Sequence, residues 1–227
     1  MRVAEIFYSI QGEGSLVGVP SVFVRISGCN LRCTWCDTPY TSWNPEGDEQ
    51  TNDAIVAQVL AYPARHTVIT GGEPMLFAPV AELTRALKSH GRHITIETAG
   101  TVYQPAVCDL MSISPKLANS TPHQREGGRH AARHEELRYQ PEILARLMQE
   151  FDYQLKFVIS AENDLVEVFK ILDATRADHE RVLLMPEGTS AEVVRERGQW
   201  LAEVCKREGF RYSPRLHVDL WGDKRGV

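Results

Sequence analysis

Cys29, Cys33 and Cys36 place three thiols within the run Cys29-Asn30-Leu31-Arg32-Cys33-Thr34-Trp35-Cys36. Three thiolates can hold three irons of a [4Fe–4S] cluster and leave the fourth without a protein ligand. A cluster that only relays electrons normally takes four cysteines. An iron left open is a binding position, and so a place for chemistry. Structural zinc would call for a second C-x-x-C or H-x-x-x-H pair at a suitable distance. The other cysteines, Cys108 and Cys205, are isolated and far downstream, and His130 and His134, although spaced H-x-x-x-H, sit in a polar, arginine-rich stretch. The spacing favours an open cluster over zinc or an accidental grouping.

The elements that must position these thiols follow from periodicity. Residues 21–27 read as a strand that runs straight into the cysteine loop. Further strands are expected at residues 66–70, 93–97, 109–114, 153–160 and 181–185. Between them come helices at 52–62, capped by Asn52, and at 79–90, closing at Gly91. Three more follow at 141–150, 163–175 and 190–208, the last closing at Gly209. Residues 211–220 read as a final extended segment, and residues 118–140, charged and without a period, as a long surface loop open to movement. Repeated β-α alternation implies an α/β fold with a parallel sheet of about six core strands, curved into a shortened (partial) β/α barrel. Polar motifs recur just after strands: the cysteines, Gly71-Gly72-Glu73-Pro74, Glu97-Thr98 and Ser114-Pro115-Lys116. In parallel α/β folds the ligand site lies at those carboxyl ends. The glycines of the second motif could bring backbone close to a ligand, or simply form a tight turn.

The chain has 227 residues, 43% hydrophobic and 24% charged, ordinary for one globular domain over residues 1–227. A formal net charge of −5 argues against a nucleic-acid partner. No apolar run approaches a membrane span, and the N-terminus lacks a signal-peptide pattern. Five cysteines, three of them clustered, do not suggest disulfides, so a cytoplasmic location is expected. Cys108 and Cys205 are expected to be buried and inert, and His123, His130 and His134 to lie in a solvated loop.

The cysteine triplet together with the GGEP run resembles the radical S-adenosylmethionine (SAM) superfamily. That resemblance implies that the open iron is chelated by SAM and that one electron from the cluster cleaves SAM to a 5′-deoxyadenosyl radical. A narrower match covers nearly the whole chain: Glu5-Ile6-Phe7-Tyr8-Ser9-Ile10-Gln11-Gly12-Glu13-Gly14 before the first strand, Asp37-Thr38, Glu97-Thr98-Ala99-Gly100-Thr101, Ser114-Pro115-Lys116-Leu117 and Gln154-Leu155-Lys156-Phe157-Val158. This order is similar to the 7-carboxy-7-deazaguanine synthase family. The likeness implies a homodimer, a 6-carboxy-5,6,7,8-tetrahydropterin substrate, a magnesium ion, and a flavodoxin- or ferredoxin-like reductant. The implied reaction is hydrogen abstraction at C6, ring contraction and loss of ammonia, with SAM regenerated.

The resemblance also implies residue roles within an N-terminal substrate-binding segment, a cluster loop at 28–43 and a variable loop at 118–140. Ile10, Gln11, Gly12 and Glu13 match the pterin-binding opening, and Thr70 and His217 match substrate contacts. Arg25 suits the substrate carboxylate, although alternation with Phe23 and Val24 leaves open whether it faces pocket or solvent. Trp35, Asp37, Gly72, Glu73, Ser114, Lys116, Gln154, Lys156 and Phe157 match positions around the cluster and SAM. A solvated strand face is the alternative for Lys156, and a structural role for His217. Thr38 matches the magnesium ligand, with substrate oxygens and water completing the shell. Two other readings compete: a glycyl-radical enzyme activating enzyme, and a non-catalytic iron–sulfur protein.

Overall fold

The computed structural model describes residues 1–227 as a nine-stranded sheet flanked by helices. In chain order the elements are β1 (Arg2–Ile10), β2 (Pro20–Ile26), α1 (Pro39–Ser42), β3 (Asp48–Glu49), α2 (Asn52–Leu60), β4 (His66–Gly71), α3 (Pro79–Ser89), β5 (His93–Thr98) and β6 (Leu110–Ile113). There follow α4 (Ala131–Arg138), α5 (Pro141–Glu150), β7 (Tyr153–Ile159), α6 (Asp164–Thr175), β8 (Val182–Pro186), α7 (Ala191–Glu208), β9 (Arg211–Tyr212) and α8 (Leu216–Trp221). The sheet order is β3-β1-β2-β4-β5-β6-β7-β8-β9; β1 pairs antiparallel with β2 and β3, and every other pairing is parallel. The ends do not pair, so the sheet is an open, partial barrel. The face of its central strands that packs under the helices is apolar: Val22, Val24, Ile69, Ile94, Ile96, Met111, Leu155 and Leu184 are fully buried in one core, while the opposite face carries Arg25, Thr70, Glu97, Ser112 and Lys156.

Six expected strands and five expected helices are present to within a residue or two. Four local readings change. The opening segment is itself a nine-residue strand, β1, hairpinned to β2 rather than preceding the sheet. Thr51, not Asn52, caps α2, its hydroxyl accepting from the Ala54 amide. Residues 211–220 are not extended: Pro214 breaks the chain after the short β9, and α8 follows. Residues 118–140 are not a free loop, because two short 3₁₀ turns and α4 fold back onto the cysteines.

Candidate functional site

The register of the parallel strands sets polar side chains side by side at their carboxyl ends. Arg25 of β2 pairs with Thr70 of β4, and Glu97 of β5 with Ser112 of β6. Thr70 Oγ1 donates to Glu97 Oε2 at 2.7 Å, and Gln11 Nε2 donates to Glu97 Oε1 at 3.0 Å. Three elements distant in sequence thus converge on one carboxylate. They line a cleft of about 540 Å³ that also takes in Ile10, Gly12 and Glu13 on one side and Cys29, Cys33 and Trp35 on the other.

Glu13 anchors a buried charge network. It accepts from Lys156 Nζ and, at 3.1 Å, from Arg215 Nε, with His217 Nε2 3.9 Å away. Burial alone would raise its pKa, but the Lys156 ammonium and the Arg215 guanidinium outweigh it and hold the carboxyl well below the usual range. Lys156 is 5% exposed, so it does not belong to a solvated face. Arg215 also donates to Asp37 and, at 2.6 Å, to the Gly188 carbonyl. Arg25 does line the cleft, with its Nε on Glu5 at 2.7 Å and its remaining nitrogens without a protein partner.

The cysteine loop is tied down on every side. The Gly28 amide donates to Thr41 O at 2.8 Å, and Gly28 O accepts from the Glu73 amide at 2.9 Å. A Cβ on Gly72 would collide with that same Gly28 carbonyl, so the close approach of the two loops requires glycine. Trp43 Nε1 donates to Cys33 O, Trp35 Nε1 to Asn119 O, and the Thr34 amide to Ser120 O. The Arg32 amide donates to His134 Nδ1 at 3.1 Å, and His134 Nε2 bonds Ser120 Oγ at 2.8 Å. His134 is therefore buried and structural, not solvated: it is 1% exposed, and burial lowers its pKa to about 4. His123 is exposed and His130 half-buried. Cys205 is buried as expected, whereas Cys108 is only half-buried.

The three thiols fit a cluster. They stand in a small apolar group of their own with Leu31, Ala99 and Trp35. Burial pushes Cys29 up to about 12 and Cys33 further, so these thiols would be neutral without a cation; iron binding deprotonates such ligands. No three His, Cys, Asp or Glu side chains converge as a mononuclear ion requires. Asp37, Thr38, Gly72, Ser114 and Lys116 also face the cleft, Lys116 Nζ donating to Ser114 Oγ at 3.0 Å. Three expected cofactor contacts do not reach its wall. Glu73 is fully buried and accepts from Met75 N, Thr98 Oγ1 and Ala99 N, which shapes the glycine loop from behind. Gln154 accepts from the Ser15 amide and donates to Ser112 Oγ, which fixes the turn after Glu13. Phe157 points into the core.

Sequence reasoning placed Glu97 in a motif at a strand's carboxyl end without giving it a role, and passed over Arg215; both organise this cleft. Glu97 had a signal, a charged residue ending an apolar strand. Arg215 had none, since its partners lie up to 202 positions away. Residues 223–227 complete the wall, held by Arg225, which bonds Glu5 Oε2 at 3.1 Å and Glu46 Oε2 at 3.0 Å and stacks 3.9 Å over Tyr40.

The profile of the radical SAM superfamily matches residues 23–131. A 7-carboxy-7-deazaguanine synthase of Halobacterium salinarum is 45% identical over 98% of this chain and 91% of its own length. Another, of Rhodopirellula baltica, is 41% identical over 100% of this chain and 89% of its own. The crystal structure of QueE from Escherichia coli shares the fold, with a TM-score of 0.71 at 24% identity, over 95% of this chain and 94% of that one.

Proposed function

We infer the activity from one premise: the chain belongs to the 7-carboxy-7-deazaguanine synthase family of radical SAM enzymes. It is a radical SAM lyase of queuosine-type 7-deazapurine synthesis. Its reaction converts 6-carboxy-5,6,7,8-tetrahydropterin to 7-carboxy-7-deazaguanine with loss of ammonia. The observation that carries this reading is the cleft in which Cys29 and Cys33, with Cys36 packed just behind them, face the Gln11–Glu97–Thr70 triad. When bound, the cluster and SAM supply one-electron cleavage and, through it, hydrogen abstraction from the substrate.

The chain's own residues bind and orient. Cys29, Cys33 and Cys36 would hold the cluster. Gly72, Ser114 and Lys116 would receive SAM, with Trp35 shielding the cluster. Arg25, with only Nε committed, has donors left for the substrate carboxylate. Glu97 uses one lone pair on each oxygen for Gln11 and Thr70 and keeps others for the N–H edge of a pterin. Glu13, Lys156 and Arg215 satisfy one another, so their part is to hold Gly12 and the backbone around it rigid beside His217. Thr38 would give magnesium one hydroxyl, with substrate and water completing its shell. A homodimer in a reducing cytoplasm completes the proposal.

The experiment is an anaerobic mass-spectrometric assay of reconstituted protein with SAM, reductant, magnesium and 6-carboxytetrahydropterin. 7-Carboxy-7-deazaguanine is the expected product. Production of 5′-deoxyadenosine without it would keep the radical chemistry and discard this substrate.

A further inference from the structure

We propose that a second cavity, on the other side of Cys29 from the substrate cleft, is the docking point of an acidic one-electron carrier protein. The proposal rests on the reading of the three thiols as cluster ligands. Cys29 is common to both cavities: it lines the substrate cleft and also a separate cavity of about 290 Å³ formed with Asn30, Arg32, His130, Arg133 and His134. That makes it a wall between the place where substrate reacts and a second opening. The cleft side is committed to substrate and to residues 223–227, so the second side is where a carrier can come close.

The chemistry of this cavity selects the carrier. Its charge comes from two guanidiniums, Arg32 and Arg133; His130 and the neutral, buried His134 join them in a wall without a carboxylate, in a chain of net charge −5. Arg133 is exposed and enters no ion pair, while Arg32 Nη1 is bonded only to the carbonyls of Cys29 and Leu31. Arg125 stands beside this face with its guanidinium 3.9 Å over Trp43, whose indole donates to Cys33 O. The neighbouring acids are largely occupied: Glu126 pairs with Arg129 and lies 3.7 Å from His130 Nε2, and Glu135 pairs with Arg138, leaving Glu136 free. The first turn of α4 adds the positive end of a helix whose N-cap, His130, makes no side-chain cap. Positive potential of this kind steers an acidic partner and fixes its register in small, transient redox interfaces. One electron leaves the reduced carrier and enters the iron–sulfur centre; no bond or proton moves.

The test uses the reconstituted enzyme and a reduced acidic flavodoxin. Arg133→Glu is compared with Arg195→Glu, an exposed arginine on α7 that gives the same change in net charge. Flavodoxin affinity and the rate of cluster reduction are followed at low and high salt. Photoreduced 5-deazariboflavin serves as a small donor that needs no docking. At low salt, R133E is expected to weaken flavodoxin binding and slow flavodoxin-driven reduction about tenfold, with the difference shrinking as salt rises. Its iron content and deazaflavin-driven reduction should match wild type, and R195E should match wild type throughout. Equal effects of the two variants, or an R133E defect that persists with deazaflavin, would overturn the proposal. The expected pattern without any deazaguanine product would uphold the docking site and refute the substrate.

Discussion

Lys156 and Arg215 are buried on either side of the half-buried Glu13, and each cation is stable as an ion there because of that carboxylate. Replacing Glu13 with Gln leaves two cations in a low-dielectric site with half their compensation. The expected loss is about 3–5 kcal/mol, read from urea denaturation. The sign of the pH dependence follows from the same network. The folded-state pKa of Glu13 is depressed, so its contribution is complete above the ordinary carboxyl value of 4.5 and fades as pH falls below it. Thr38 is a contrasting case, because its hydroxyl lies 3.9 Å from Cys36 Sγ and caps no helix. Thr38→Ala should therefore leave the iron content intact and weaken the response of turnover to magnesium. An unchanged magnesium titration would remove Thr38 from that role.

At the level of elements, the core strands were legible because alternate residues form an apolar face under the helices, as with Ile94 and Ile96 or Leu155, Phe157 and Ile159. β1 escaped because most of its residues are only half-buried, which erases any period of two. α4 escaped for a related reason: a helix whose one buried residue is His134 has no apolar stripe. In the site, residues at strand ends declared themselves by position. Arg215 could not, since what makes it part of the cleft is a fold-level encounter rather than a local pattern. The clasp of α4 on the cysteine loop gives an element-scale prediction. His134→Phe keeps bulk but removes the acceptor for the Arg32 amide. Hydrogen exchange at residues 30–36 should speed up, and less iron should be retained. Acid should act in the same direction. The folded pKa of His134 is lowered to about 4 from 6.5, so the clasp is at full strength above 6.5 and weakens as pH falls towards 4. Exchange that is indifferent to both changes would show that the loop is held elsewhere.

Over the whole molecule, the two ends of the chain meet at the same opening. Arg225 bonds Glu5 on β1 and Glu46 beside β3, so it holds residues 223–227 against the cleft. Arg225→Ala should release that segment and raise the pterin KM about tenfold, with Tm little changed because the guanidinium is half exposed. A KM equal to wild type would mean the segment closes without its anchor. Arg215 joins the ends more deeply, 202 residues from Glu13. On a ribosome the strands emerge and can begin to pair in order. The ion network cannot close until Arg215 has been made, and a nascent chain stalled in α7 would carry a nearly complete sheet with Lys156 and Glu13 still lacking Arg215. The cleft therefore takes its final shape only after both halves of the sheet and the segment carrying Arg215 have emerged, so the iron–sulfur centre is best installed after those strands have paired.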